Sequence, residues 1–189
     1  MAGSPGPYRQ SGRSAVYAEA LTKLEANAHT YPCFCSPEEL QLSRKTQLAA
    51  GRPPRYARTC AGLSQAGVQR RIDSGKAPAI RFRVPDHRTV EFVDRVHGPQ
   101  RFQSDDIGDF VIRRADGSVS FFLGNAVDDS AVGITLVLRG DDHLANTPRQ
   151  LLLLEALGRP LPEYGHLPLV LAPSGTPLSK REGAASLTD

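Results

Sequence analysis

Between residues 133 and 171 the chain reads as an apolar run, a capped helix and a second apolar run, and that order most restricts its fold. Residues 133–139, Gly-Ile-Thr-Leu-Val-Leu-Arg, are rich in aliphatic and β-branched side chains, which suits a strand covered on both faces. Thr147-Pro148 begins a helix that carries Leu151, Leu152, Leu153, Leu154 and Ala156, and Gly158 and Pro160 end it. Residues 166–171 form the second apolar run. Strand, helix and strand this close together predict a parallel α/β unit, because a parallel pair needs a crossover and the helix covers the sheet.

Upstream, the pattern is different. Val16, Ala20, Leu21 and Leu24 stand at helical spacing, with Ser11 or Ser14 available as a cap and an end near residues 27–29. Ser36-Pro37-Glu38-Glu39 reads as a cap, a first-turn proline and acidic first-turn residues. That helix should run to about Ala50, where Gly51-Arg52-Pro53-Pro54 stops it. Residues 64–74 predict a short helix closed by Gly75. From Ala79 the period becomes two: Ile80, Phe82 and Val84 alternate with Arg81 and Arg83, as in a half-buried strand. Residues 90–93 and 101–102 predict further short strands. Residues 109–113 and 119–123 predict a hairpin around Ala115-Asp116-Gly117-Ser118.

Composition sets the remaining limits. Hydrophobic residues are 40% and charged residues 23% of 189, which supports a packed core and excludes wholesale disorder. No apolar stretch approaches the roughly 18 residues that cross a bilayer. The opening MAGSPGPYRQ has no apolar signal core, so a cytoplasmic protein with no membrane partner is expected. A net charge of +3 permits a nucleic-acid partner without requiring one.

The three cysteines are Cys33, Cys35 and Cys60, too few for a fully paired disulfide framework. Cys33-Phe34-Cys35 lies on a loop beside Pro32, where thiolates two positions apart can turn the same way. Three sulfurs suit zinc if a fourth donor completes a tetrahedron. No histidine lies near Cys60, so Tyr56, four positions before it, or water would fill that place. Three simply buried thiols are the alternative.

In the last third, Arg139 ends the first apolar run, where ligands of parallel α/β sheets bind. It can clamp a carboxylate or phosphate, or pair with Asp141 or Asp142. Asp128-Asp129 and Asp141-Asp142 are acidic pairs that can hold Mg²⁺ or a ribose. Adjacent residues point to different faces, so at least one of each pair reads as structural. His143 and His166 flank the same region. Ser179, Lys180 and Arg181 lie in a polar loop that can cradle a triphosphate or be an ordinary basic loop.

Together these pieces resemble a known family. The stretch GNAVDDSAVGITLVLRGDDHLANTPRQLLLLEALG, followed by HLPLVLAPSGTPLSKREGAAS, is similar to bacterial glutamyl-tRNA synthetase, a class I aminoacyl-tRNA synthetase. GPYRQS, YPCFCSPEEL, PPRYARTC, IRFRVP and IGDFVIRRADGSVSFF fit the same family in the same order. The resemblance implies glutamate activation by ATP with Mg²⁺, then transfer to the 3′ end of tRNA(Glu). It implies an α/β architecture in three parts: a lead-in (1–15), an inserted α+β zinc-binding domain that meets the tRNA acceptor stem (16–118), and the second half of a Rossmann-type catalytic domain (119–189). Ser179, Lys180 and Arg181 stand at the KMSKS position, with Lys180 expected on the ATP phosphates. Asp142 and His143 match positions beside ATP and substrate. Arg139, Asn125 and Phe121 match the glutamate pocket. Cys33, Cys35, Tyr56 and Cys60 match the Zn²⁺ site. Arg52, Arg55, Arg58, Arg70 and Arg71 are candidate phosphate contacts.

The departures are specific. Pro177 replaces the first lysine of the KMSKS signature, and Phe121 stands where tyrosine is common. No HIGH-like segment occurs in the 189 residues. The expected function is therefore a partial glutamate–tRNA ligase, with a possible second polypeptide supplying the HIGH half. A glutamyl-Q tRNA(Asp) synthetase-like modification enzyme and a non-catalytic acceptor-binding module are the alternatives.

Overall fold

The computed structural model of the protein describes residues 7–171. Ser179, Lys180 and Arg181 lie outside the described residues. The first elements are α1 (Ser14–Ala26), β1 (Thr30–Cys33), α2 (Pro37–Ala49) and α3 (Gln65–Asp73). Then come β2 (Ala79–Phe82), β3 (Thr89–Asp94), β4 (Gly98–Gln103), α4 (Ser104–Ile107) and β5 (Phe110–Arg113). The last elements of the described residues are α5 (Phe121–Val132), β6 (Leu136–Gly140), a 3-10 turn (Asp141–Asn146), α6 (Thr147–Ala156) and β7 (Glu163–Leu167). Among the described residues, no helix is long and apolar enough to cross a membrane.

Two sheets organise these elements into a mixed α/β fold. One is antiparallel, in the order β1-β2-β5. The other runs β4-β3-β7-β6, with β3 antiparallel to β4 but parallel to β7. β6 and β7 are parallel neighbours, with Arg139 opposite His166, and α6 is their connection. This is the α/β unit that the two apolar runs predict.

Local sequence explains several boundaries. Ser36 caps α2 as part of a capping box, its hydroxyl accepting the Glu39 N–H while Glu39 accepts the Ser36 N–H. Ser64 caps α3. Neither Ser11 nor Ser14 caps α1; Arg13 occupies that position without a side-chain cap, and its guanidinium instead meets Asp128 at 2.6 Å. Thr147 does not cap α6 either: it is fully buried, and its hydroxyl accepts a hydrogen bond from Arg139.

Four expectations are corrected. The second apolar run, 166–171, is not a buried strand throughout: β7 spans Glu163–Leu167, and Leu169, Val170 and Leu171 are exposed. The loop expected to hold Cys33 begins only after it, because Pro32 and Cys33 pair with β2 as part of β1. The hairpin predicted at residues 109–113 and 119–123 has only its first strand. Val119 makes a single bridge to Arg113, and Ser120 then caps α5 through the Leu123 N–H. The aromatic pair Phe121-Phe122 therefore opens a helix. The run 133–139 is not a strand covered on both faces. Gly133, at φ +78°, is the left-handed cap of α5, and β6 starts only at Leu136. β6 is an edge strand whose Leu136 and Leu138 are 43% and 60% exposed.

The main core draws Tyr17 and Leu24 from α1 and Phe82 from β2. Ile112 comes from β5, Leu123 and Val127 from α5, and Leu152 and Leu153 from α6. It therefore joins residues from both sides of position 118. A second, small cluster holds Tyr31, Cys33 and Cys60.

Asp109 ties the two clusters together. Its fully buried carboxylate accepts from Tyr31 Oη at 2.6 Å, the Val84 N–H at 2.9 Å, and Arg58 Nε and Nη2 at 2.9 and 3.0 Å. Arg58 sits at φ +57°, a strained conformation for a side chain of its size, held by these bonds and by a 2.5 Å contact with Asp86. Asp109→Ala removes the acceptor of Tyr31 Oη and the Val84 N–H and one of the two carboxylates on Arg58, and should cost about 3–5 kcal/mol. Glu91→Ala breaks only an exposed pair with Arg101 and should cost under ~1 kcal/mol. Urea unfolding midpoints of the two variants check the contrast.

Candidate functional site

The first candidate lies where β6 and β7 end. α5 brings Phe121, Asn125 and Asp129 to one face, since residues four apart in a helix lie one above the other. The 3-10 turn places Asp142 and His143 next to them. Phe121 stacks on the His143 ring with centroids 5.8 Å apart. Arg139 Nη2 reaches the His143 carbonyl at 3.5 Å. Asn125 Oδ1 accepts from the buried Gln150 amide, and the Asn125 amide favours the ionised form of neighbouring Asp129. The structure thus brings together Arg139, Asn125, Phe121, Asp142 and His143. Burial raises the Asp129 carboxyl and the field of Arg139 lowers it, with a net rise.

Asp128 turns the other way. It accepts from Tyr17 Oη at 2.8 Å, from Arg13 and from Gln10, so it anchors the first helix to α5. Burial and the Asp128 carboxylate together push the Tyr17 hydroxyl up to about 12. Of this acidic pair, Asp128 is structural and Asp129 faces the candidate site.

Arg139 makes no ion pair within 4 Å among the described residues, with Asp141, Asp142 or any other carboxylate. Its Nε lies 3.0 Å from His166 Nε2, and its Nη2 lies 2.7 Å from Thr147 Oγ1. The guanidinium sits over the Tyr164 ring at 5.4 Å. Desolvation holds the Arg139 guanidinium below its ordinary value, against the opposing fields of Tyr164 and of the Asp129, Asp142 and Asp94 carboxylates. A half-buried guanidinium without a counterion fits an anionic ligand.

Behind Arg139 lies a pair whose aspartate the sequence did not single out. His166 and Asp94 have fully buried side chains, with Nδ1 2.5 Å from Asp94 Oδ2. Asp94 Oδ1 accepts the N–H groups of Val96 at 3.0 Å, His97 at 2.9 Å and His166 at 3.2 Å. Burial alone would push this carboxyl up; the His97 N–H, the His166 ring and the other two N–H groups outweigh it, and the carboxyl lies well below the usual range. Asp94 and His166 are 72 residues apart, so no local signal links them.

The second candidate is the cysteine cluster, at the end of β1 and on the loop before α3. The three Sγ atoms all lie within 4.8 Å of one another, with Cys35 and Cys60 3.6 Å apart. Tyr56 Oη stands 3.3 Å from Cys33 Sγ and 3.4 Å from Cys35 Sγ, and accepts the Cys60 N–H at 3.0 Å. Zinc–sulfur bonds of ~2.3 Å and a zinc–oxygen bond of ~2.0 Å place the corners of a tetrahedron roughly 3.5–3.8 Å apart. The donor set therefore fits one small divalent cation. Burial raises the Cys35 thiol to about 11, with Cys60 adding to the rise. Cys33 is lowered: burial opposes ionisation, but hydrogen bonds from Arg81 and Tyr56 favour it. The Arg81 guanidinium lies 3.7 Å from the Tyr56 ring centre, and its buried Nε has no partner among the described residues.

A cleft of about 800 Å³ runs between α2 and the loop that follows it, lined by Arg52, Arg55 and Arg58 among others. Arg58 is already engaged by Asp109 and Asp86. Arg71 bonds the Gly67 carbonyl and stacks on Phe34.

The sequence matches, over residues 2–189, the family described as tRNA synthetases class I (E and Q), catalytic domain. The chain belongs to this family. It is 56% identical over 187 residues to glutamate–tRNA ligase 2 of Nitrosococcus oceani, covering 99% of this chain and 40% of that protein. It is 57% identical to glutamate–tRNA ligase 2 of Alkalilimnicola ehrlichii, covering 99% of this chain and 39% of that protein. Among solved structures it is similar to a glutamate tRNA ligase from Elizabethkingia meningosepticum in complex with its amino acid. The TM-score is 0.84 at 30% identity, over 97% of this chain and 38% of that one. The chain thus spans about two-fifths of the length of these relatives.

The depressed Asp94 carboxyl has a consequence for stability. Unfolded, it titrates near its ordinary value of about 3.9. Its contribution is therefore complete above that value and is lost as pH falls below it, because the unfolded chain takes up the proton first. Unfolding free energy of the native protein should fall steeply below about pH 4, and Asp94→Asn should remove part of that slope. Urea titrations from pH 6 to pH 3 measure it.

Proposed function

We propose that the chain is the substrate-binding half of a glutamate–tRNA ligase catalytic domain, with residues 119–189 in the Rossmann-type part and 16–118 in an inserted acceptor-stem domain. The observation that carries this reading is the contact chain Phe121–His143–Arg139 at the ends of β6 and β7, with Asn125 on the same face of α5, in a chain of this family. Arg139 is the charged clamp for a glutamate carboxylate, Asn125 a polar contact, and Phe121 a wall. Asp142 and His143 flank ATP. Ser179, Lys180 and Arg181, outside the described residues, serve the phosphates, with Mg²⁺ accompanying the nucleotide. Charge on the phosphate oxygens grows as the amino-acid carboxylate attacks, and Lys180 stabilises it. The amino acid then passes to the 3′ end of tRNA(Glu) in a cytoplasmic reaction.

The test is glutamate-dependent ATP–pyrophosphate exchange with tRNA present. The isolated 189 residues contain no HIGH signature, so exchange is expected only when a HIGH-bearing segment is supplied, in the same or a second polypeptide. In that active form, Arg139→Ala should lower kcat/KM for glutamate by about 10²-fold or more, the scale of a lost charged contact. Unchanged glutamate kinetics would overturn the assignment.

Cys33, Cys35, Tyr56 and Cys60 hold Zn²⁺ in this reading, and the metal fixes the loop beside the arginine-lined cleft. Purified protein should carry one zinc per chain by elemental analysis. Cys60→Ser should lower that content and the unfolding temperature together. A glutamyl-Q-type enzyme, which the same Cys/Cys/Tyr/Cys donor set also fits, is the second reading. Exchange that proceeds without tRNA would support it over the first.

A further inference from the structure

Arg139 is held by a buried pair whose protonation state can be deduced from its neighbours. A guanidinium nitrogen only donates. Arg139 Nε, 3.0 Å from His166 Nε2, therefore requires that nitrogen to carry a lone pair. A neutral imidazole with an unprotonated Nε2 carries its proton on Nδ1, which stands 2.5 Å from Asp94 Oδ2. Asp94 Oδ1 already accepts three backbone N–H groups, so Oδ2 is the oxygen left to receive the imidazole proton. The Thr147 hydroxyl, 3.0 Å from His166 Nε2, accepts Arg139 Nη2–H and fixes the second edge of the guanidinium. Arg139 Nη1 makes no hydrogen bond among the described residues.

We propose that Asp94 and His166 are positioning residues: the Asp94 carboxylate fixes the His166 tautomer, and His166 Nε2 with Thr147 fixes the Arg139 guanidinium so that Nη1 is left for the substrate carboxylate. This rests on the reading of Arg139 as the glutamate clamp. Neither residue touches the ligand. Their effect passes through Arg139 alone, so it falls on glutamate binding and spares the nucleotide.

Asp94→Asn isolates the effect at nearly constant volume. The three backbone N–H groups keep an oxygen at the Oδ1 position, which turns the new amide nitrogen toward His166 Nδ1. That nitrogen must then accept, the proton moves to Nε2, and Nε2–H faces Arg139 Nε–H. The guanidinium loses its acceptor and is repelled.

Two measurements test this on the active form that includes the HIGH-bearing segment. Nitrogen-15 imidazole NMR at pH 7 should show His166 with its proton on Nδ1 in the native protein and on Nε2 in Asp94→Asn. Exchange kinetics should show KM for glutamate raised about 10–100-fold in Asp94→Asn, the range common for residues that orient a ligand-binding group. The KM for ATP and kcat should stay within about threefold. His166→Gln, whose side-chain oxygen can replace Nε2 as acceptor, should keep the glutamate KM within a few-fold of native, whereas His166→Leu should raise it as Asp94→Asn does.

A native His166 protonated on Nε2 overturns the proposal, whether or not any variant folds. So does an unchanged glutamate KM in a folded Asp94→Asn protein while Arg139→Lys raises it, and in that case the clamp itself stands. An unchanged KM in Arg139→Lys refutes the clamp reading instead.

Discussion

One buried carboxylate holds the second sheet in its working shape. Asp94 ends β3, and its four hydrogen bonds close the turn at Val96 and His97, fasten β7 through the His166 N–H, and grip the His166 ring. β3 and β7 are otherwise paired only at Asp94 and Tyr164. Removing a carboxylate from water is costly, and only a full set of donors offsets it. Asp94 has that set, so the same residue is a structural staple and the base of the candidate site. A parallel pair of strands gains a rigid floor at its carboxyl end, and side chains rising from that floor inherit its order.

Three half-buried arginines are held in different ways. Arg58 is neutralised by Asp109 and Asp86 and is a part of the scaffold. Arg149, over the rings of Phe110 and Phe122, satisfies itself on the carbonyls of Ala145 and Ile107. Arg139 alone among these three is oriented by neutral side chains, through an imidazole nitrogen and a hydroxyl. A guanidinium held without a counterion keeps its charge available. The fixing groups and the charge to be used are thus separate, which is how a site can be rigid and still bind an anion strongly.

Much of the local structure was legible because it rests on short-range physics. The capping box at Ser36, the end of α2 near Ala50 and the α6 crossover follow from residues a few positions apart. Phe121 and Asn125 share a helix face because they are four apart, although the sequence pattern placed Phe121 on a strand. Aromatic residues with a preceding hairpin turn favour that reading, and the Ser120 cap overrode it. The run 133–139 was read as doubly covered because apolar content reports the need for burial and does not report where the cover comes from. β6 keeps its aliphatic side chains and stands at the sheet edge.

By itself the sequence determined the family, the parallel α/β unit, the three cysteines and the arginine at a strand end, since each is written in residue type and spacing. The tertiary structure decided which groups work together. It turned Asp128 to the scaffold and Asp129 to the site, put Tyr56 within reach of two sulfurs, and set Asp94 against His166 across 72 residues. Periodicity and capping act over a few residues and survive in the linear chain. A hydrogen bond between buried groups depends on where two strands meet, and only the folded sheet fixes that.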